Sequence, residues 1–150
     1  MKNIFKQEDV VEIIARIEKL QPNQKPLWGK MSVAQMLAHC NIAYEMVYSD
    51  KHPKPNEVKK FLLKLFVKKM VVGEKPYKKN APTAPVFVVK EEKDFKHEKE
   101  RLIAYLKETN RLGTKHFDRK ESHSFGKLSQ EEWNNLFSKH LSHHLDQFDV

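Results

Sequence analysis

The segment SQEEWNNLFSKHLSHHLDQF, residues 129–148, decides the fold class. Ser129 followed three residues later by Glu132 is the pattern in which each side chain satisfies a backbone N–H left open by the first helical turn. Beyond it lie eighteen residues without glycine or proline, which predicts a helix over about 130–147. With His140 at zero and about 100° per residue, Trp133 falls at about +20°, Leu136 at −40°, Phe137 at +60° and Leu141 at +100°. His144 falls at about +40° and Gln147 at −20° by the same rotation, so both histidines occupy the apolar stripe, with His143 on its margin at about −60°.

Working outward, SVAQMLAHC (32–40) repeats the signal: Ser32 and Gln35 form a second capping pair, opening a helix that runs to about Tyr48. On it, Ser32, Gln35, Met36, Ala43 and Met46 lie within about 60° of His39, which therefore also looks inward. Cys40 points about 100° away and reads as a small core residue. A first helix is expected over 8–20, where Val10, Ile13, Ile14, Ile17 and Leu20 recur at helical spacing. A third is expected over 56–72, packing Val58, Leu62, Leu65 and Phe66 and solvating Lys59, Lys60, Lys64 and Lys68. Asp94 caps a fourth, over about 94–111, ending near Gly113. Residues 73–90 are irregular, with PVFVV as one short extended segment, and no real sheet is expected. The fold class predicted is all-α: one domain over residues 1–150, four main helices in a bundle with an extra short helix and long crossover loops.

The chain has 150 residues, 28 Lys+Arg against 20 Asp+Glu, and one cysteine. A lone Cys40 excludes an internal disulfide and any multi-cysteine metal site. No stretch suits a membrane span, and acids among the first apolar residues argue against a signal peptide, so a soluble cytoplasmic protein is expected. Residues 51–80 hold ten Lys and two Glu, which accounts for the whole net charge of +8. Lysine without arginine is a weak basis for reading bases or phosphates, so nucleic acid is not expected as a partner. The patch reads first as a solvated face. A basic surface binder, with salt-sensitive attachment to vesicles or DNA, ranks last among the functions considered.

An i, i+4 imidazole pair on an apolar face is suited to approach one metal ion, and His39 on a neighbouring helix would complete three nitrogens with open positions for water or substrate. Alone, the spacing equally allows hydrogen-bonded core histidines. Gln35, His143 and Gln147 are candidates to orient the ligands from behind, and the loop residue His123 is a candidate to line the site. His52, His97 and His116 are expected to face solvent. There is no Gly-rich phosphate loop, nucleophile elbow or HExxH.

The run WGKMSVAQMLAHC (28–40) together with HSFGKLSQEEWNNLFSKHLSHHLDQF (123–148) resembles the DinB/YfiT-like superfamily, in a branch marked by W-G-x-M-S-x-x-Q-M-x-x-H-C and a closing K-H-x-x-H-H-x-x-Q-F, with PTAP (82–85) also in keeping. The resemblance implies an up-down-down-up four-helix bundle, a metal triad on His39, His140 and His144, zinc or nickel as the ion, and homodimers. It also implies a metal-dependent hydrolase or a transferase using a low-molecular-weight thiol on a small-molecule substrate, with catalytic residues unassigned. The alternative is a non-enzymatic dimeric binding or structural module, supported by the lack of any Asp or Glu on the inward stripe of the last helix.

Overall fold

The computed structural model describes residues 1–150, and four long helices carry the core. The first, α1 (Gln7–Lys19), buries Val10, Ile13 and Ile17 and packs against the long helix α5 (Phe95–Phe117). The second, α2 (Val33–Tyr48), has the expected capping box: Ser32 Oγ accepts from Gln35 N–H at 3.2 Å and Gln35 Oε1 from Ser32 N–H at 3.0 Å. Twelve of its sixteen residues are buried, against α5 above all and against the last helix, α6 (Gln130–Gln147). Glu45 is the only charged residue on α2, which is why so much of its circumference can be enclosed. Ser129 and Glu132 close the second capping box at the start of α6.

The core is strongly aromatic. Tyr44 on α2 stacks on Phe137 of α6, with ring centroids 4.5 Å apart, and on Tyr105 of α5 at 5.6 Å. Phe137 continues the stack to Trp133 at 5.5 Å, and Phe117 meets Trp133 edge-on at 5.4 Å. Offset and edge contacts of this kind add to the area term that such large rings supply.

Five expectations are corrected. The helix expected over 56–72 is two: α3 (Glu57–Phe66) and α4 (Lys68–Val72), broken at Val67. Nor does α3 pack its apolar face, for none of its residues is buried, and Val58, Phe61, Leu62, Leu65 and Phe66 are exposed. Its opposite side is tied down instead, through Lys60 to Glu121 at 2.7 Å. The segment expected to be extended contains a 3-10 turn at Pro85–Phe87, where proline's fixed φ suits the first helical position. In α5 the chain leaves helical geometry at Gly113 (φ 69°, ψ 179°) but resumes it to Phe117. Glycine adopts that angle without steric penalty, and burial of Phe117 rewards the extra turn. Finally, residues 121–127 form a small hairpin, β1 (Glu121–Ser122) antiparallel to β2 (Gly126–Lys127). Ser122 Oγ holds it, donating to Gly126 O at 2.8 Å and accepting from Phe125 N–H at 2.9 Å.

Two leucines test this division between core and periphery. Leu106, fully buried on α5, should cost about 2–5 kcal/mol when replaced by alanine. Leu65→Ala on the exposed face of α3 should stay within about 0.5 kcal/mol. Urea unfolding of the two variants measures the contrast.

Candidate metal centre

His39 reaches the interior because α2 is enclosed, and His140 and His144 lie one turn apart on the facing side of α6. The three rings form a tight triangle, with centroids 4.9 Å (His39–His140), 4.6 Å (His39–His144) and 4.8 Å (His140–His144) apart. One nitrogen from each ring falls within 4.8 Å of the others. His39 and His144 are buried and His140 is partly so.

Hydrogen bonds from outside the triangle fix how two of the rings present themselves. His39 Nδ1–H donates to the carbonyl of Phe87 at 2.8 Å, because a carbonyl oxygen only accepts. His144 Nδ1–H donates to Gln147 Oε1 at 2.8 Å. The orientation of that amide is set in turn by Gln147 Nε2, which donates to Trp28 O at 2.6 Å. In their neutral forms both rings therefore carry the proton on Nδ1 and leave Nε2 with a free lone pair. His140 Nε2 lies 2.8 Å from His39 Nε2 and supplies the proton between them. Carbonyl partners on the far nitrogen are the usual means of orienting metal-bound imidazoles.

Gly29 is part of this arrangement. Its φ is +83°, and a Cβ there would stand 2.6 Å from Gln147 Nε2, so the Trp28–Gly29 turn meets the amide only without a side chain. Leu27 N–H also donates to Gln147 O at 2.8 Å, doubling the tie between this turn and the end of α6.

Burial holds all three rings neutral. It pushes the His140 pKa well below the usual histidine value and lowers that of His39, while His144 is pushed down to about 3; adjacent imidazoles add to the shift on His140 and His144. Around the triangle stand aromatic side chains from the loops. Phe87 lies 5.4 Å from the His39 ring and 5.8 Å from His140; Tyr77 lies 6.4 Å from His140 and 5.7 Å from His143. Trp28 lies 5.6 Å from His143 and carries the Lys79 ammonium over its ring, 4.3 Å from the centroid.

The remaining candidates fall in different places. Gln147 is bonded directly to His144, and the His143 ring sits 5.1 Å from it at the rim. Gln35 is spent on the α2 cap and reaches the carbonyls of Lys90 and Glu91 at 3.4 Å each. His123 bonds Ser124 Oγ at 2.8 Å and the carbonyl of His52 at 3.2 Å, and neither it nor Gln35 bonds the triad. His97 and His116 are exposed as expected. His52 is not: it is half-buried against Glu45 at 2.8 Å, within a cluster where Lys51 and Arg101 also hold that carboxylate. These partners outweigh burial and hold Glu45 down at about 2. Cys40 is buried beside Met36, and burial pushes its thiol up, as suits a core residue. Sequence reasoning missed the Phe87 carbonyl and the ring of Tyr77, because an irregular proline-rich loop has no periodicity from which a direction can be read.

Two outcomes follow from this geometry. Below pH 6.5 the unfolded chain binds protons that the buried rings refuse, so stability falls with falling pH. For His144 alone the slope is about 1.4 kcal/mol per pH unit until the pH nears its folded value of about 3. Melting of chelator-dialysed protein across that range should show it, with the loss of the Glu45 ion pairs adding below about pH 4.5. Gly29→Ala should destabilise by about 1–3 kcal/mol through its left-handed angle and its contact with Gln147, and the His144 ring should lose its fixed orientation, visible in imidazole NMR.

No curated protein and no solved structure matches the chain. One family model does, described as a protein of unknown function, DUF1569, over residues 2–150. That span takes in α1, both helices with capping boxes, the Trp28–Gly29 turn and all three clustered histidines, and the chain belongs to the DUF1569 family.

Proposed function

We propose that His39, His140 and His144 hold one divalent metal ion, zinc or nickel, and that the protein is a metal-dependent enzyme acting on a small molecule, either as a hydrolase or as a transferase using a low-molecular-weight thiol. The observation that carries this reading is the pair of Nδ1–H donors anchored on Phe87 O and Gln147 Oε1, which turns two unprotonated Nε2 atoms toward the third histidine. Three neutral imidazoles crowded together in a buried site are costly unless something accepts their lone pairs. The donor set fits a borderline-soft divalent ion, and three protein nitrogens leave positions free for an exchangeable ligand. When bound, such an ion supplies a lowered pKa for a coordinated water or thiol.

The protein's own residues have separable tasks in this reading. Phe87 O and Gln147 orient two ligands; Trp28 O and Gly29 hold Gln147; Phe87, Tyr77 and Trp28 limit water around the rings. We further read the four long helices as a DinB/YfiT-like bundle and the whole chain as one domain that works as a homodimer. A second reading, a non-enzymatic dimeric module, is favoured by one observation: none of the hydrogen-bond partners of the three rings is a carboxylate that would serve as a base.

Elemental mass spectrometry on untagged protein purified without chelator tests the first reading. Near-stoichiometric zinc or nickel is expected in the wild type and little in the His39→Ala/His140→Ala/His144→Ala variant. Turnover in a screen of esters, amides and thiol acceptors should vanish on chelation and return with metal. A wild type that stays metal-free after dialysis against zinc and nickel would sink the metal site and leave the second reading.

A further inference from the structure

The helix α3 is mounted the wrong way round for a helix that belongs to a core. With Leu62 at zero, Val58, Leu65, Phe61 and Phe66 span an arc from about −100° to +40°. Those five side chains are between 47% and 72% exposed. Lys60 lies at about 160°, behind this arc, and it is the residue that ties the helix to the body through Glu121. The ion pair therefore fixes the polar back of the helix and presents its apolar front outward. Asn56 caps the start, accepting from Lys59 N–H at 2.9 Å, so the ridge is a formed helix. Behind it, α4 is anchored to α6 by the buried Lys139, which donates to the carbonyls of Met70, at 2.8 Å, and Gly73.

The charge around this ridge narrows what it meets. Lys59, at about +60°, borders the apolar arc, Lys64, at about −160°, lies between the arc and Lys60, and Lys69 follows in α4. All three are exposed and none has an ion-pair partner, unlike Lys60 and Lys68, which pair with Glu121 and Glu132. A second copy docking through the same face would bring like charges together, and the charged backbone of duplex nucleic acid offers no apolar surface to cover Val58, Leu62 and Leu65 beside the two phenylalanines. Lysine is a hydrated point charge without a fixed fork, suited to diffuse attraction by a surface of many anions. An apolar ridge with lysines along its edges is the arrangement by which a helix lies in a lipid interface.

We propose that α3, with the start of α4, docks the protein peripherally on an anionic lipid bilayer, Val58, Phe61, Leu62, Leu65 and Phe66 entering the headgroup boundary and Lys59, Lys64 and Lys69 contacting acidic headgroups. This is a separate property from the histidine site and does not depend on a metal there.

The test is co-sedimentation of the full chain with phosphatidylcholine vesicles, with and without phosphatidylserine. Binding is expected only with phosphatidylserine and should weaken with salt. Phe61→Ser/Leu65→Ser should lower the partition coefficient at least about tenfold. Lys59→Gln/Lys64→Gln/Lys69→Gln should lower it by about fivefold per lysine at low salt. All the substituted residues are exposed, and unchanged circular dichroism and melting verify that the variants fold. No binding to either vesicle, or equal binding to both, overturns the proposal. So does sedimentation velocity showing a wild-type dimer that Phe61→Ser/Leu65→Ser converts to monomer, which assigns the ridge to a second copy. Binding to duplex DNA that needs the lysines but not the apolar pair, with no vesicle binding, overturns it in favour of nucleic acid.

Discussion

The enclosure of α2 is the constraint from which most of the molecule follows. A helix buried around most of its circumference must find partners inside the protein for the polar side chains it carries, and on α2 only Asn41 Oδ1 and the Tyr44 hydroxyl go without. His39 takes the carbonyl of Phe87 and the ring of His140. Asn41 donates to the Glu98 carbonyl at 3.0 Å and its carboxylate at 2.8 Å, and Glu45 gathers His52, Lys51 and Arg101. Each demand recruits a different element: the crossover at 85–93, helix α5, the loop before α3, and helix α6. What reads as a set of separate polar contacts is one helix being supplied from all sides.

The histidine triangle is the part of that supply network left with spare lone pairs. The ionic cluster at Glu45 is closed, with its charges matched among neighbours. The triangle is different, since its far nitrogens are satisfied by Phe87 O and Gln147 Oε1 while its near nitrogens face one another. A polar cluster built only for stability would use both ends of every ring, whereas here only His39 does so, and His140 Nδ1 and His144 Nε2 have no hydrogen-bond partner. Here the Gln147 amide, held by Trp28 O and admitted by Gly29, spends its hydrogen bonds on orientation.

Much of this was legible in the sequence where periodicity carries direction. Both Ser-x-x-Gln/Glu boxes, the span of α6 and the inward placement of His39, His140 and His144 follow from rotation about a helix axis. The rest was hidden for physical reasons. Nearly complete burial of α2 leaves no polar face to mark its orientation, and the usable signal was its single charge, Glu45, in sixteen residues. An amphipathic pattern states that a helix has two faces, not which one meets the body, so α3 was read with its apolar side inward. Gln35 shares a face with His39 but sits at the helix start, where capping claims it. His52 lies beyond the end of α2, and only the fold brings it back to Glu45.

His39 and His140 are 101 residues apart, and Gln147 meets Trp28 across 119. Contacts at such separations close long loops, whose entropy must be met before any of them is gained. The triangle therefore has no precursor within a single helix: α6 alone offers two imidazoles, and the third arrives only when α2 docks against α6. The constellation works as a certificate of completed topology. Any opening that parts α2 from α6 dissolves it as a unit, even where each helix stays formed.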